Sequence, residues 1–340
     1  MRHIFVINQA AGQGGAKALS ADIRQAGNAI GVDVEIYETV CPGDGERFVR
    51  RCCREEAEQI GADEADDPAG TDEDARLRFY ACGGDGTLNE VVNGMDGFSF
   101  AEAGCIPVGT GNDFVRNFPE ADFTDLPAQL TAKARPCDLI AWEEVSRTSG
   151  RDSRTDDEGM ASARLCINMV NIGFDGNVAD LTARMKRVPL VNGTLAYIIS
   201  VFTMLIEKKG ADLRVEYPDG FVHDGKLLLI AIANGCFCGG GIKGLPRAKT
   251  DDGQMDVSLV KDVPRRAFVR LFPKYMNGTH LEEPRLADVI RYTPETGLTI
   301  TANRGCMKVC IDGEILSMEG LRLAIRPEGV KFVVPAGENR

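Results

Sequence analysis

Between residues 2 and 108 short apolar runs and helical patterns take turns, and this alternation constrains the fold more than any other feature of the chain. "IFVI" leads through a loop of small residues to "AKALSADIRQAGNAI"; "VDVEIYE" leads to "GERFVRRCCREEAEQI"; "RFYAC" and "AGCIPV" follow. Units of this spacing predict a doubly wound α/β domain, a parallel sheet with helices on both faces. From about residue 135 the pattern changes to "CDLIAWEEV", "ARLCINMVNIG", "DLRVEYPD", "KLLLIAIANG", "MDVSLV", "GLTITAN", "CMKVCIDGE", "LRLAIRP" and "VKFVVP". Strands so closely spaced predict an antiparallel sandwich. A helical insert near residues 193–209 interrupts them, and the polar stretch from Ser146 to Arg164 reads as a long hairpin tip. A chain of 340 residues is also too long for one core and fits two domains.

In an open α/β sheet, ligands gather beyond the carboxyl ends of the strands. Three loops fall there: "NQAAGQGGAK" after the first strand, "GGDGT" after Cys82, and "GTGNDF" after Val108. In the second, Gly83, Gly84 and Gly86 are free to take positive φ and to turn backbone amides toward a phosphate. Asp85 stands where a magnesium ion would bridge phosphate oxygens. Thr87 and Glu90 have capping-box spacing and are expected to open the helix "LNEVVNG". The third loop repeats the logic with Gly109, Thr110, Gly111, Asn112 and Asp113, so two carboxylates could share a metal, although Asn112 also suits a plain helix cap. The first loop matches neither the P-loop nor the dinucleotide fingerprint.

Late in the chain Asp312 and Glu314 flank Gly313, where strand spacing would point both carboxylates to one face; "DG" is equally a hairpin-turn signal. "AKTDDGQMDV" is acidic and turn-like, able to hold a hard cation or to be a simple turn. "VPRRAFVRLFPKYM" interleaves Arg265, Arg266, Arg270 and Lys274 with Phe268, Leu271, Phe272 and Tyr275, as a peripheral membrane segment would, and as a core helix with a basic outer face would too.

A net charge of −12 speaks against nucleic acid as a partner. Eleven cysteines, an odd number, read as reduced thiols, and Cys236 with Cys238 lacks the further ligands of a zinc set. The three histidines, His3, His223 and His280, form no triad. The N-terminus has no long h-region, and the longest apolar run, Leu195 to Ile206, is short of the ~20 residues of a membrane span. A cytoplasmic protein is expected. An exposed edge strand could pair two copies as a homodimer.

"GGDGTLNEVVNG", "GTGNDF" and a strand-rich half with a late "DGE", in this order, resemble the soluble diacylglycerol kinase catalytic-domain family of bacterial lipid kinases, related to sphingosine and ceramide kinases. The resemblance implies a phosphofructokinase/NAD-kinase-like α/β domain at 1–133 and a β-sandwich lipid-substrate domain at 134–327. It also implies an active site in the cleft between the two, with residues 328–340 packing back on the first domain. ATP would be surrounded by Asn8, Gln9, Ala10, Ala11, Gly12, Thr39, Gly83, Gly84, Asp85, Gly86, Thr87, Leu88, Asn89, Glu90 and Thr110. Asp85 and Asp113 would organise the catalytic Mg2+, and Asp312 or Glu314 would be the base. Lys249, Asp252 and Gln254 match the spacing of a structural Mg2+ site. The first loop departs from the family, with "NQAAG" where Asn-Pro and Ser-Gly are usual. The activity implied is ATP-dependent phosphorylation of a lipid hydroxyl, foremost that of diacylglycerol, reached by transient contact with the inner face of the cell membrane. A kinase acting on NAD and a nucleotide-binding regulator without catalysis are the competing readings.

Overall fold

The computed structural model describes residues 1–11, 16–61, 75–109, 111–146, 160, 163–173 and 210–336. Gly12, Thr110, the acidic stretch at 62–74, most of the polar tip at 147–162 and the expected helical insert at 193–209 lie outside the described residues. The chain forms two units, Met1–Asp138 with Pro327–Arg340, and Leu139–Arg326.

In the first unit the elements follow the expected alternation: β1 (Arg2–Asn8), α1 (Ala16–Ile30), β2 (Val34–Thr39), α2 (Asp44–Ile60), β3 (Leu77–Gly83), α3 (Asp85–Met95), β4 (Ala101–Pro107) and α4 (Leu126–Thr131). β4, β3, β1 and β2 lie side by side, all parallel. Their registers pair Asn8 with Thr39, Ile7 with Cys82 and Gly83 with Pro107, so the four carboxyl ends make one edge. β1 and β3 are buried almost end to end, which is why they read as unbroken apolar runs rather than alternating ones. Phe5, Ile7, Tyr80 and Cys82 form a core with Ile23 of α1 and Leu130 of α4. α2 and α3 cross closely at Gly94, where a Cβ would fall 2.7 Å from Val49 Cβ. The short α4 went unread in the sequence; Asp125 caps it by accepting from the Ala128 amide at 2.9 Å. Arg78, ion-paired with Glu102 at 2.7 Å and buried, donates to the Ala132 carbonyl at the end of α4.

The chain leaves the first unit within β5 (Ala134–Glu144). The second unit holds β6 (Arg164–Cys166), β7 (Met169–Gly173), β8 (Ala211–Glu216), β9 (Val222–Ala233), β10 (Met255–Lys261), α5 (Arg265–Met276), β11 (Ile290–Glu295), β12 (Gly297–Ala302), β13 (Met307–Ile311), β14 (Glu314–Met318) and the first half of β15 (Gly320–Val333). Among the described residues these strands pair antiparallel. β9 belongs to two strand sets, pairing β8 with its first half and β7 and β10 with its second. Val170, Ile172, Ile230, Ile232 and Val257 meet Leu213, Val215, Leu298, Ile300 and Leu321 in a shared core.

Three strand readings need correction, the first being "ARLCINMVNIG", which a bend at Ile167–Asn168 divides into β6 and β7. "LRLAIRP" and "VKFVVP" are one strand, β15, which carries the chain back to the first unit and ends parallel to β4, with Phe332 opposite Ala103. At its midpoint Glu328 takes φ 51° and its amide donates to Asp138 at 2.8 Å. β11 was missed because Pro294 argues against a strand; among the described residues β11 pairs only with β10, and an edge tolerates a missing donor.

Candidate active site

The strand-end edge of the first unit is built by backbone contact between two loops. Gly84, after β3, and Gly109, after β4, approach so closely that a Cβ on Gly109 would fall 2.4 Å from Gly84 Cα. Val108 and Gly109 amides both donate to the Gly83 carbonyl at 3.1 Å. The expected positive φ is absent: Gly83, Gly84 and Gly86 are not among the positive-φ residues, and Gly84 is extended at φ −100°. Close packing demands glycine at 83, where a Cβ would meet Thr87 Oγ1, and at 109. A Cβ on Gly86, by contrast, would meet nothing within 4 Å. Among the described residues Gly86 thus leaves open space beside the first turn of α3, and the unbonded amides of a helix start are the groups that bind phosphate.

The capping box is also corrected. α3 begins at Asp85, with Gly84 as a cap that has no side chain to offer. Thr87 Oγ1 instead accepts from Asn8 Nδ2 at 3.2 Å, tying the β1 loop to α3. Asn8 Oδ1 accepts from the Ala10 amide at 3.0 Å, so Asn8 to Ala10 closes as an Asx turn with Gln9 and Ala10 exposed. Glu90 reaches the start of α2, accepting from the amides of Gly43 at 2.8 Å and Gly45 at 3.0 Å. Leu88 is buried, and Asn89 bonds along the helix to Asn93 at 3.1 Å. Leu88, Asn89 and Glu90 thus face other partners, whereas Asn8, Thr39, Gly83 to Thr87 and Gly109 share the edge.

Asp85 and Asp113 come together. Asp85 Oδ1 accepts from the amides of Asp113 at 2.8 Å and Phe114 at 3.3 Å, where a 3-10 turn begins. A Cβ on Gly111 would stand 2.8 Å from Asp85 Oδ2 and 3.5 Å from Asp113 Oδ2, so both oxygens converge on a cradle that a side chain would fill. Arg116 lies 3.6 Å from Asp113 Oδ1. Asn112 is no cap: at φ 51° it braces the loop, donating to the Gly109 carbonyl at 2.9 Å. Two carboxylates beside open phosphate space suit an oxygen-seeking divalent cation that takes its remaining ligands from phosphate and water.

In the second unit Asp312 and Gly313 form the turn of the β13–β14 hairpin, with φ 46° and 91° and with Ile311 opposite Glu314. The strand-spacing reading of this pair is thereby overturned. Asp312 is buried, and its carboxylate accepts from the amides of Ile167 at 2.8 Å and of Asn168 and Met169 at 3.0 Å, with Cys166 Sγ at 3.2 Å. Glu314 is exposed. In the Lys249–Gln254 loop Asp252 Oδ1 accepts from the Gln254 amide at 3.1 Å, an Asx turn with Gly253 at φ 70°. Among the described residues no group of three or more His, Cys, Asp or Glu side chains could hold a metal.

A family profile described as "Diacylglycerol kinase catalytic domain" matches residues 2–142, and one described as "YegS C-terminal NAD kinase beta sandwich-like domain" matches residues 168–334. A Pseudomonas aeruginosa (strain UCBPP-PA14) protein named "Probable lipid kinase YegS-like" is 31% identical over 263 residues, covering 76% of this chain and 77% of its own. The chain belongs to the diacylglycerol kinase catalytic-domain family. The family member named "Diacylglycerol kinase" in Bacillus subtilis (strain 168) is 24% identical over 315 residues, 91% of this chain and 88% of its own. The crystal structure of a diacylglycerol kinase from Bacillus anthracis str. Sterne superposes with a TM-score of 0.62 at 17% identity, covering 98% of this chain and 96% of that one, a likeness of fold. Among the described residues no helix is long and apolar enough to cross a membrane.

Proposed function

We propose that this protein is an ATP-dependent lipid kinase that phosphorylates the hydroxyl of diacylglycerol to give phosphatidic acid. The observation that carries the reading is the convergence of Asp85 and Asp113 beside the open first turn of α3. ATP phosphates would lie against the start of α3 at Gly84 to Gly86, with Asn8 and Thr39 at the neighbouring strand ends. Asp85 and Asp113 would hold Mg2+, whose chemistry is to neutralise charge developing on the phosphate oxygens. Asp312, spent on three amides and needed as the hairpin turn, would set the position of Glu314, and the exposed Glu314 would serve as base. As the acceptor oxygen bonds to the γ-phosphorus, the bond to the β–γ bridging oxygen breaks, ADP leaves and the hydroxyl proton passes to Glu314.

Incubation with γ-labelled ATP and Mg2+ over micelles of diacylglycerol, monoacylglycerol, ceramide or undecaprenol, followed by chromatography of the lipids, tests the reading. Label in phosphatidic acid, lost in Asp85→Asn, is expected. Label in none of these lipids, or full activity in Asp85→Asn, would overturn it. A parallel incubation with NAD reports on the small-molecule alternative.

A further inference from the structure

The three amides that hold the Asp312 carboxylate are themselves held, by two asparagines that the chemistry so far has not used. The amides belong to consecutive residues, Ile167, Asn168 and Met169, at the bend between β6 and β7. β7 runs beside β9 with Met169 opposite Ala233, which brings the next residue, Asn234, against this bend. Asn234 grips it twice: its side-chain Nδ2 donates to the Ile167 carbonyl and its amide to the Asn168 carbonyl, both at 2.9 Å. The Gly235 amide adds a second bond to the Asn168 carbonyl at 3.2 Å. Asn168 Nδ2 in turn donates to the Phe237 carbonyl at 2.9 Å. Phe237 is a firm anchor, because its neighbour Cys238 exchanges two 2.9 Å bonds with Ile242 across Gly239 to Gly241.

These bonds set the direction in which the amides point. A peptide unit is planar, so its carbonyl and its N–H turn together. The unit between Ile167 and Asn168 is held at its carbonyl by Asn234 Nδ2 and presents its N–H to Asp312; the unit between Asn168 and Met169 is held at its carbonyl by the Asn234 and Gly235 amides and does the same. The Asp312 amide closes the ring by donating to the Met169 carbonyl at 3.0 Å. With Asp312 and Gly313 locked at φ 46° and 91°, the direction of Glu314, first residue of β14, follows from the seat of Asp312.

Packing does not account for the asparagines. Asn168 is 4% and Asn234 0% exposed, and Asn168 Oδ1 is buried with no hydrogen-bond partner among the described residues. Leucine would fill the same space without leaving an oxygen unmet, so what the Asn168 carboxamide supplies is direction.

We propose that Asn168 and Asn234 are positioning residues for phosphoryl transfer, acting through the Ile167–Met169 bend and Asp312 on Glu314. The assignment rests on the lipid-kinase reading above, with Glu314 as base.

Rates and hydrogen exchange test it together. In Asn234→Ala, kcat with diacylglycerol should fall roughly 10–100-fold, as for a misplaced catalytic group, while the KM for ATP stays unchanged. In a Glu314→Gln background the same substitution should lower kcat no more than about twofold further, because the group it positions is already gone. A residue that only supports the fold lowers kcat by the same factor in both backgrounds. That outcome, or a wild-type kcat in Asn234→Ala, overturns the proposal and leaves the kinase reading intact. Amide exchange at residues 167–169 should quicken at least about tenfold in Asn234→Ala, with exchange in the first unit unchanged. Unaltered exchange at 167–169 also overturns the proposal. Faster exchange there, in a protein whose wild type phosphorylates no lipid, supports the hold on Asp312 and sinks the kinase reading. Should Asn234→Ala not fold, Asn168→Ala, whose side chain gives up only the bond to Phe237, should show the same split between kcat and KM and the same quickened exchange; a wild-type kcat there counts against the proposal.

Discussion

Asp312 and Glu314 stand two residues apart in different surroundings, and their substitutions should separate cleanly. In Asp312→Asn one side-chain oxygen becomes a donor facing backbone donors at Ile167, Asn168 and Met169, which should cost about 3 kcal/mol of stability. Glu314→Gln should leave the melting temperature unmoved and lower kcat by roughly 10²–10⁴-fold, the usual worth of a general base. Thermal melts beside initial rates check both; a stable Asp312→Asn or a fully active Glu314→Gln contradicts the division of roles. The sequence shows both carboxylates but not which does what, because the amides that claim Asp312 lie on a turn some 145 residues earlier. Glu90 illustrates the same limit: its spacing from Thr87 is that of a local cap, and its partners are on another helix.

At the level of elements, the glycines of the strand-end loops divide by what surrounds them. Gly109→Ala would push backbone against backbone at Gly84, so it should destabilise the first unit and raise the KM for ATP together. Gly86→Ala has room, and its methyl group would occupy the space before the first turn of α3; it should melt like wild type yet bind nucleotide at least about tenfold more weakly. Equilibrium binding of a fluorescent ATP analogue, with melts, distinguishes them, and normal binding by Gly86→Ala would move the phosphate site elsewhere. That these residues had to be glycine was legible, whereas the reason was not: a sequence signals freedom of φ and close approach with the same letter, and only the facing loop decides between them.

For the whole molecule, three buried groups set a pH dependence. Burial holds His3 and His280 at about 4, so both are neutral when folded and protonate only on unfolding once pH is below about 6.5. Their stability contribution is complete above that value and fades as pH falls toward 4. Asp256 acts in the opposite sense: burial and the neighbouring Asp252 raise it to about 6, so stability withheld at neutral pH returns as it protonates. Two histidines outweigh one aspartate, and these groups should make the denaturant midpoint fall between pH 6 and 4.5, more steeply in Asp256→Asn. A variant no steeper than wild type would contradict the assignment. The fold class was legible because unbroken apolar strands alternating with amphipathic helices admit few architectures, whereas β15 was split in reading because Pro327 and Gly329 look like a break. That strand has a consequence for synthesis on the ribosome. Phe332, near its end, packs among Phe114, Phe118 and Phe123 of the first unit, with ring centroids 5.0–6.0 Å apart. The nascent first unit therefore emerges with an unfilled aromatic hollow beside β4, which is closed only after the entire second unit has been translated. Translation that stops short of β15 leaves Phe114, Phe118 and Phe123 without the ring that packs among them and β4 without its parallel neighbour.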